Sequence, residues 1–337
     1  EDVANRVGHP FRWVKVRDPL ARDIHKPLVG YTNVVGRRVG RIPHRAALLP
    51  PVPVRSDRGC TQRMRMTVLP FRIDDSAKDI GGKFTRVIPE SRIPTEVITT
   101  ELERVKEVLP QVHLQQPLGP ENVQQLREDF DFVVIATGAQ KPRTLSIPGN
   151  ERAVTALEFL EKAKEDKATV GKHVVVIGAG NVGCDAAAEA HRLGAEKITL
   201  LDVQEPASFG REREAAESIG AEFKWPVFTK EITGDSVTLA SGEEIRADTV
   251  IISIGDVPDL EFIPANVRTE NDFVKVNENY QTSDMQIFAI GDVVRPGLLT
   301  EAIGSGRVVA RTICDMLAGK RPAFEKRDMI DRQRVTL

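Results

Sequence analysis

Apolar positions along the chain gather into short runs separated by polar stretches with helical spacing, and the alternation becomes regular after residue 74. The runs FVVIA and HVVVIGAG are continuous and rich in β-branched residues, as strands covered on both faces should be. TEVITTELERVKEVL repeats its apolar positions at helical spacing, with Thr95 placed to cap it. A short strand near VHLQ, a polar helix in ENVQQLRED and the buried strand DFVVIATG follow. Beyond the linker KPRTLSIPGNE come a helix in TALEFLEKAKED and a strand, turn, helix and strand over 173–202. A helix in REREAAESIG, a hairpin in VTLASGEEIRA and the strand DTVIISIG complete this stretch. FVKVNENYQTSDMQIFAIGD returns through strands to a loop, and LLTEAIGSGRVVARTICDML forms a long closing helix. Strands alternating with helices predict an α/β fold on parallel, doubly wound sheets. No solenoid-length repeat is present.

The stretch HVVVIGAGNVGCDAAAEAHRLGAEKITLLD carries the sharpest chemistry. Gly178 allows a tight turn, Gly180 lets backbone approach a pyrophosphate, and Gly183 lets the helix lie close on the strand. The helix starts near Asn181 and Val182, so its free N–H groups and positive dipole end face the phosphates. Asp202 stands 19 residues after Gly183, where a carboxylate accepts both ribose hydroxyls and repels a 2′-phosphate. The expectation is an NAD(H) site, with NADP(H) disfavoured unless Arg211 and Arg213 fold back onto it.

Composition narrows the picture. At 337 residues and 41% apolar content the chain can bury a full core, and its longest apolar runs are too short to span a bilayer. Cys60, Cys184 and Cys314 are widely separated with no CxxC pair, which argues against a dithiol, an iron-sulfur cluster or a metal site within the chain. A reducing, cytoplasmic setting is expected. Charge is divided sharply: residues 1–73 carry 15 Lys and Arg against five Asp and Glu, and the remainder carries 32 against 44.

Three further segments bear a family resemblance. IGGKFTRVIPESRIP holds the pair Gly81 and Gly82 followed by Arg92 between prolines, with Asp75 six residues before Gly81. DFVVIATGAQKPRTLSIPG holds Thr137 and Gly138, and FAIGDVVRPGLLTEAIGSGRVVA holds Gly291 and Asp292 ahead of a helix starting at Thr300, Glu301 and Ala302. Together they resemble the glutamate synthase small-subunit family of FAD-dependent pyridine-nucleotide oxidoreductases. The resemblance implies an FAD domain over 74–148 and 280–325, split by an NAD(H) domain over 149–279, both Rossmann-like, with a tail at 326–337. It implies that Asp75, Gly81, Gly82, Arg92, Thr137, Gly138, Gly291, Asp292 and the helix start hold FAD, and that Gly255 lines the NAD(H) crevice. No side chain acts as acid or base, because the flavin carries the chemistry. An iron-sulfur or ferredoxin-type partner is implied by the resemblance, and neither nucleic acid nor a membrane is expected.

One part of the family pattern is missing. Ahead of Asp75 the resemblance calls for a strand, a first GxGxxG and a helix, yet residues 31–73 contain no GxGxxG and a PPVP run that breaks helices. No lysine occurs from Pro27 to Ala77 and no glutamate from Asp2 to Pro89, while arginine is dense. Three readings stand: a basic arm for nucleic acid, a family variant that docks a partner, or a disturbed reading frame. The third is preferred, since arginine, proline, valine and glycine are what a GC-rich gene yields out of frame. Two other functions also stay open, a regulatory NAD(H)-binding subunit without flavin and, disfavoured by the missing CxxC, a disulfide reductase.

Overall fold

A computed structural model describes residues 71–109 and 111–322 and the backbone of residues 33–37. The rest of the basic segment, with the readings attached to it, and the tail at 326–337 lie outside these residues. The described chain is α/β and builds two five-stranded sheets.

The second sheet is the regular one. Its strands are β6 (Val154–Thr155), β7 (His173–Ile177), β8 (Lys197–Leu201), β9 (Glu222–Lys224) and β13 (Thr249–Ile252), in the order β6-β13-β7-β8-β9. All its pairings are parallel. Successive side chains of a strand point to opposite faces, and β7 divides accordingly. Val174 and Val176 enter a core with Phe159, Leu160 and Ala186 from the helices α4 (Ala156–Lys164) and α5 (Asn181–Arg192). Val175 and Ile177 enter another with Ile232, Val237, Leu239 and Ile245. Those last four come from an antiparallel sheet of β10 (Thr229–Ile232), β11 (Ser236–Leu239) and β12 (Glu244–Arg246). Helices thus cover one face and a small sheet the other, so a continuous apolar run is what β7 needs. Each such side chain stabilises the fold by roughly 1.5–3 kcal/mol.

The first sheet has the order β17-β4-β1-β2-β3. Its strands are β1 (Asn33–Arg37), β2 (Phe71–Asp74), β3 (Val112–His113), β4 (Phe130–Ile135) and β17 (Ile287–Ala289). β2 pairs with β3, and β17 with β4, in parallel. β1 is antiparallel to both of its neighbours, with Asn33 opposite Asp74 and Arg37 opposite Phe130. The central slot, equivalent to β7 in the other sheet, is therefore filled by a strand running the opposite way.

Helices α1 (Lys83–Arg86), α2 (Thr95–Val108), α3 (Pro120–Asp129), α6 (Gly210–Ser218) and α7 (Leu299–Leu317) complete the elements that position the site. Pro94, not Thr95, caps α2, and the Glu90 carboxylate takes the Thr95 N–H at 2.9 Å. The chain passes between the two halves beside itself: β5 (Lys141–Pro142) pairs with β14 (Asp256–Val257) as a two-stranded ribbon. Just past that ribbon, Leu260, Phe262, Val267 and Val274 pack on the first sheet's core with Val123, Phe130 and Ile287. Val274 belongs to β16 (Phe273–Val274), which pairs with β15 (Thr269–Glu270). Residues 260–274 thus share a core with the first sheet although they precede residue 280. Among the described residues, no helix is long and apolar enough to cross a membrane.

Candidate dinucleotide sites

At the end of β7 the chain makes the glycine turn its sequence dictates. Gly178 has φ +105, and a Cβ there would overlap the Ser253 carbonyl. A Cβ on Gly183 would overlap the Gly178 carbonyl oxygen, so both glycines are required by close backbone approach. Gly180 differs, because nothing lies within 4 Å of its Cβ position. It is also the N-cap of α5, and no side chain caps that helix end. The turn therefore presents uncapped N–H groups towards open space, a place a phosphate fits.

Asp202 follows β8 directly. Its N–H donates to the Lys224 carbonyl at 3.0 Å, and its carboxylate accepts from Ala179 N–H at 2.9 Å and Gln204 N–H at 3.2 Å. The acid and the glycine turn are thus locked to each other. Asn181 accepts the Phe209 N–H at 2.9 Å, and Val182 is exposed beside it. Arg213 lies over the Phe223 ring at 3.8 Å and donates to Glu217 at 2.6 Å. Its charge is already partnered, and Arg211 is exposed.

Asp75 occupies the corresponding position in the first sheet. It follows β2 directly and its N–H donates to the His113 carbonyl at 2.9 Å, as Asp202 does to Lys224. The preceding Asp74 is buried and bonded to Arg72 at 2.9 Å, so Asp75 is the acid left half-exposed at the sheet's edge. Its carboxylate accepts the Ala77 N–H. Gly81 and Gly82 follow with φ +110 and +53, and a Cβ on Gly81 would crowd Thr85.

Several of the other expected residues lie near the contact of Lys83 with Asp256. Lys83, next to Gly82, bonds Asp256, next to Gly255, at 2.6 Å. Asp292 lies close enough to feel both charges, and a Cβ on Gly291 would lie 3.5 Å from that of Ala302. Burial pushes the Asp292 carboxyl up, with Asp256 and Glu301 adding to the rise; Lys83 and a bond from Gly297 N–H oppose it. Glu301 accepts the Leu298 N–H at 2.7 Å and caps α7, while Thr300 is exposed. Thr137 Oγ1 is buried with no hydrogen-bond partner, a donor of the kind a bound group satisfies. Gly138 beside it takes φ +69. Lys83 and Asp256 were not singled out from sequence; their adjacency to glycines already chosen was the available signal.

Arg92 goes elsewhere. Its guanidinium is bound by Asp185 of α5 at 2.7 Å and by Glu212 of α6.

Comparison with known proteins extends this geometry. Residues 85–306 match the family described as pyridine nucleotide-disulphide oxidoreductase. The putative oxidoreductase YgfK of Escherichia coli O157:H7 is 30% identical over 269 residues, covering 71% of this chain and 26% of that protein. The putative glutamate synthase (NADPH) small chain of Cereibacter sphaeroides is 29% identical over 301 residues, covering 76% of this chain and 73% of that one. The thioredoxin reductase of T. acidophilum superposes with a TM-score of 0.57 at 17% identity, covering 73% of this chain and 90% of that one, a likeness of fold. The chain spans about a quarter of the length of the first of these relatives.

Proposed function

The chain belongs to the pyridine nucleotide-disulphide oxidoreductase family, whose members are flavin-dependent NAD(P)H oxidoreductases, and from that premise we propose that it draws electrons from NADH and passes them through FAD to an iron-sulfur or ferredoxin-type partner. The observation that carries the reading is the matched pair of acids. Asp75 and Asp202 each follow the strand next to a sheet's edge, and each has its N–H tied to the edge strand. Two such acids on two sheets serve two adenosine riboses.

Bound FAD would supply the relay between a two-electron donor and a one-electron acceptor. The chain's own residues bind and orient. Gly178, Gly180, Asn181, Val182 and Gly183 hold the NAD(H) pyrophosphate at the α5 N-terminus, and Asp202 takes its ribose hydroxyls. Asp75 takes the FAD ribose, while Gly81, Gly82, Thr137, Gly138, Gly291, Asp292 and the start of α7 line the flavin end. Lys83 and Asp256 close the mouth between the halves, where Gly255 turns. Holding both reactants face to face supplies rate through proximity. The similar glutamate synthase small chain is named for NADPH, whereas here a carboxylate meets the ribose and Arg213 is spent on Glu217. NADH is the better fit.

One observation favours a second reading, an NAD(H)-binding regulatory subunit without flavin. Reversed β1 takes the slot from which an FAD pyrophosphate turn would spring, and its last residue, Arg37, pairs with Phe130 at the other end of the strands from Asp75. A single experiment separates the two. The purified chain is incubated with FAD, desalted, and its absorption followed anaerobically as NADH is added. A flavin band that bleaches with NADH and returns with a ferredoxin supports the oxidoreductase; a colourless protein that still binds NADH supports the regulatory subunit.

A further inference from the structure

Residues 83–92 adjoin the first half in sequence, yet most of their long-range polar partners lie in or beside the second. Lys83 pairs with Asp256 of the ribbon at 2.6 Å, and Arg86 pairs with Glu161 of α4 at 3.2 Å. Lys164 of α4 donates to the Ile88 carbonyl at 2.8 Å. Val87 is buried in the second half's core with Phe159, Leu160 and Cys184. On the other side, Phe84 and Ile93 pack against Ile80, Ile98 and Leu102 of the first half. The segment is a wedge with one face in each core.

Its last residue makes the most demanding contact. Arg92 sends one guanidinium nitrogen to Asp185 and the other to Glu212, tying α5 to α6 as well as to the segment itself. Asp185 is 7% exposed. Without Arg92, two carboxylates would face each other in a half-dry crevice, a costly arrangement. A planar fork with separated donors meets both acids at once, which a lysine's point charge does not. The wedge also joins two functional places: at Lys83 it touches the mouth beside Gly82, Gly255 and Asp292, and at Arg92 it grips the helix whose N-terminus forms the phosphate cradle.

We propose that residues 83–92 are a clasp that holds the two nucleotide-binding halves in one mutual orientation, and that Arg92 is its positioning residue. The consequence for rate rests on the function proposed above; the clasp itself does not. Misplacing a reacting group by about 1 Å costs on the order of a hundredfold in rate, so loosening the clasp slows transfer between cofactors while leaving each nucleotide's own site intact.

The test uses the full chain. In Arg92→Ala, reduction of bound FAD at saturating NADH falls at least about tenfold, while NADH affinity by calorimetry shifts less than about twofold. Arg92→Lys, which keeps the charge but loses the fork, falls between, and carries the same comparison where the alanine variant does not fold. Amide hydrogen exchange at residues 84–92, measured without nucleotide, quickens in both variants. A loss of NADH affinity in step with rate would put Arg92 on the nucleotide and overturn the proposal. Unchanged exchange and rate in a folded variant would overturn it too. If the wild-type chain takes no flavin, the proposed function fails and the exchange measurement alone decides the clasp.

Discussion

Single residues carry the proposed nucleotide choice and one pH response. Asp202→Ala removes the proposed ribose acceptor, and loss of two hydrogen bonds at about 1 kcal/mol or more each predicts a ten- to hundredfold fall, roughly, in kcat/KM for NADH. Use of NADPH falls less or rises; steady-state kinetics with both nucleotides measures the difference, and unchanged NADH kinetics would remove Asp202 from the site. Asp185 carries the pH response. Burial lifts its carboxyl from 3.8 to about 6, with Glu212 and Glu189 adding and Arg92 opposing. A carboxyl raised by folding stabilises in its protonated form, and that contribution is lost as pH climbs through about 6. Stability of the wild type relative to Asp185→Asn therefore rises by up to roughly 3 kcal/mol between about pH 7 and about pH 4. Denaturant unfolding at several pH values reads it, and a flat difference would contradict the buried carboxyl. At this scale the turn glycines were legible because backbone geometry demands that residue type, and the two acids because each directly follows a strand. Arg92 was expected at the FAD through the family resemblance, and its pairing with Asp185 and Glu212 was not legible, since those partners lie 93 and 120 positions away.

At the scale of elements, the turn from β7 into α5 separates two kinds of glycine. Gly183→Ala drives a methyl into the Gly178 carbonyl, which is backbone and cannot swing aside, so α5 must lift from β7. Overpacking of this kind costs roughly 1–3 kcal/mol, and thermal unfolding should record it along with weaker NADH binding. Gly180→Ala meets no protein atom within 4 Å and keeps an ordinary φ of −76. It should change stability by no more than about 1 kcal/mol while lowering NADH affinity at least about tenfold. Equal damage to stability and binding in Gly180→Ala would mean that the open space is not where the phosphates lie. The main helices and strands beyond residue 74 were readable because periodicity of 2 or 3.6 follows from burying one face. The α2 cap shifted by one residue because Glu90, rather than a cap side chain, satisfies the first free N–H. The ribbon of β5 and β14 was unreadable: each strand is two residues long, too short for any periodicity.

For the whole molecule, the α/β class and the parallel build of the second sheet were legible from the sequence, and the first sheet's centre was not. A strand antiparallel to both neighbours does not arise from a strand-turn-helix unit feeding a parallel sheet, so β1 sits apart from the pattern around it. Reading the gene in its two other frames across codons 31–73 should yield a strand, a GxGxxG and a helix; if neither frame does, the disturbed-frame explanation is wrong. The packing of Leu260, Phe262, Val267 and Val274 on the first sheet was hidden because these residues read as apolar wherever they bury, and only packing says against what. The ribbon also has a mechanical meaning. Where two antiparallel strands are the covalent crossing between two bodies, stretching and sideways bending strain both at once, but twisting strains neither much. On the proposed clasp, the easiest relative motion is a swing about the axis along Lys141–Pro142 and Asp256–Val257, and the pairing of Arg92 with Asp185 and Glu212 opposes it.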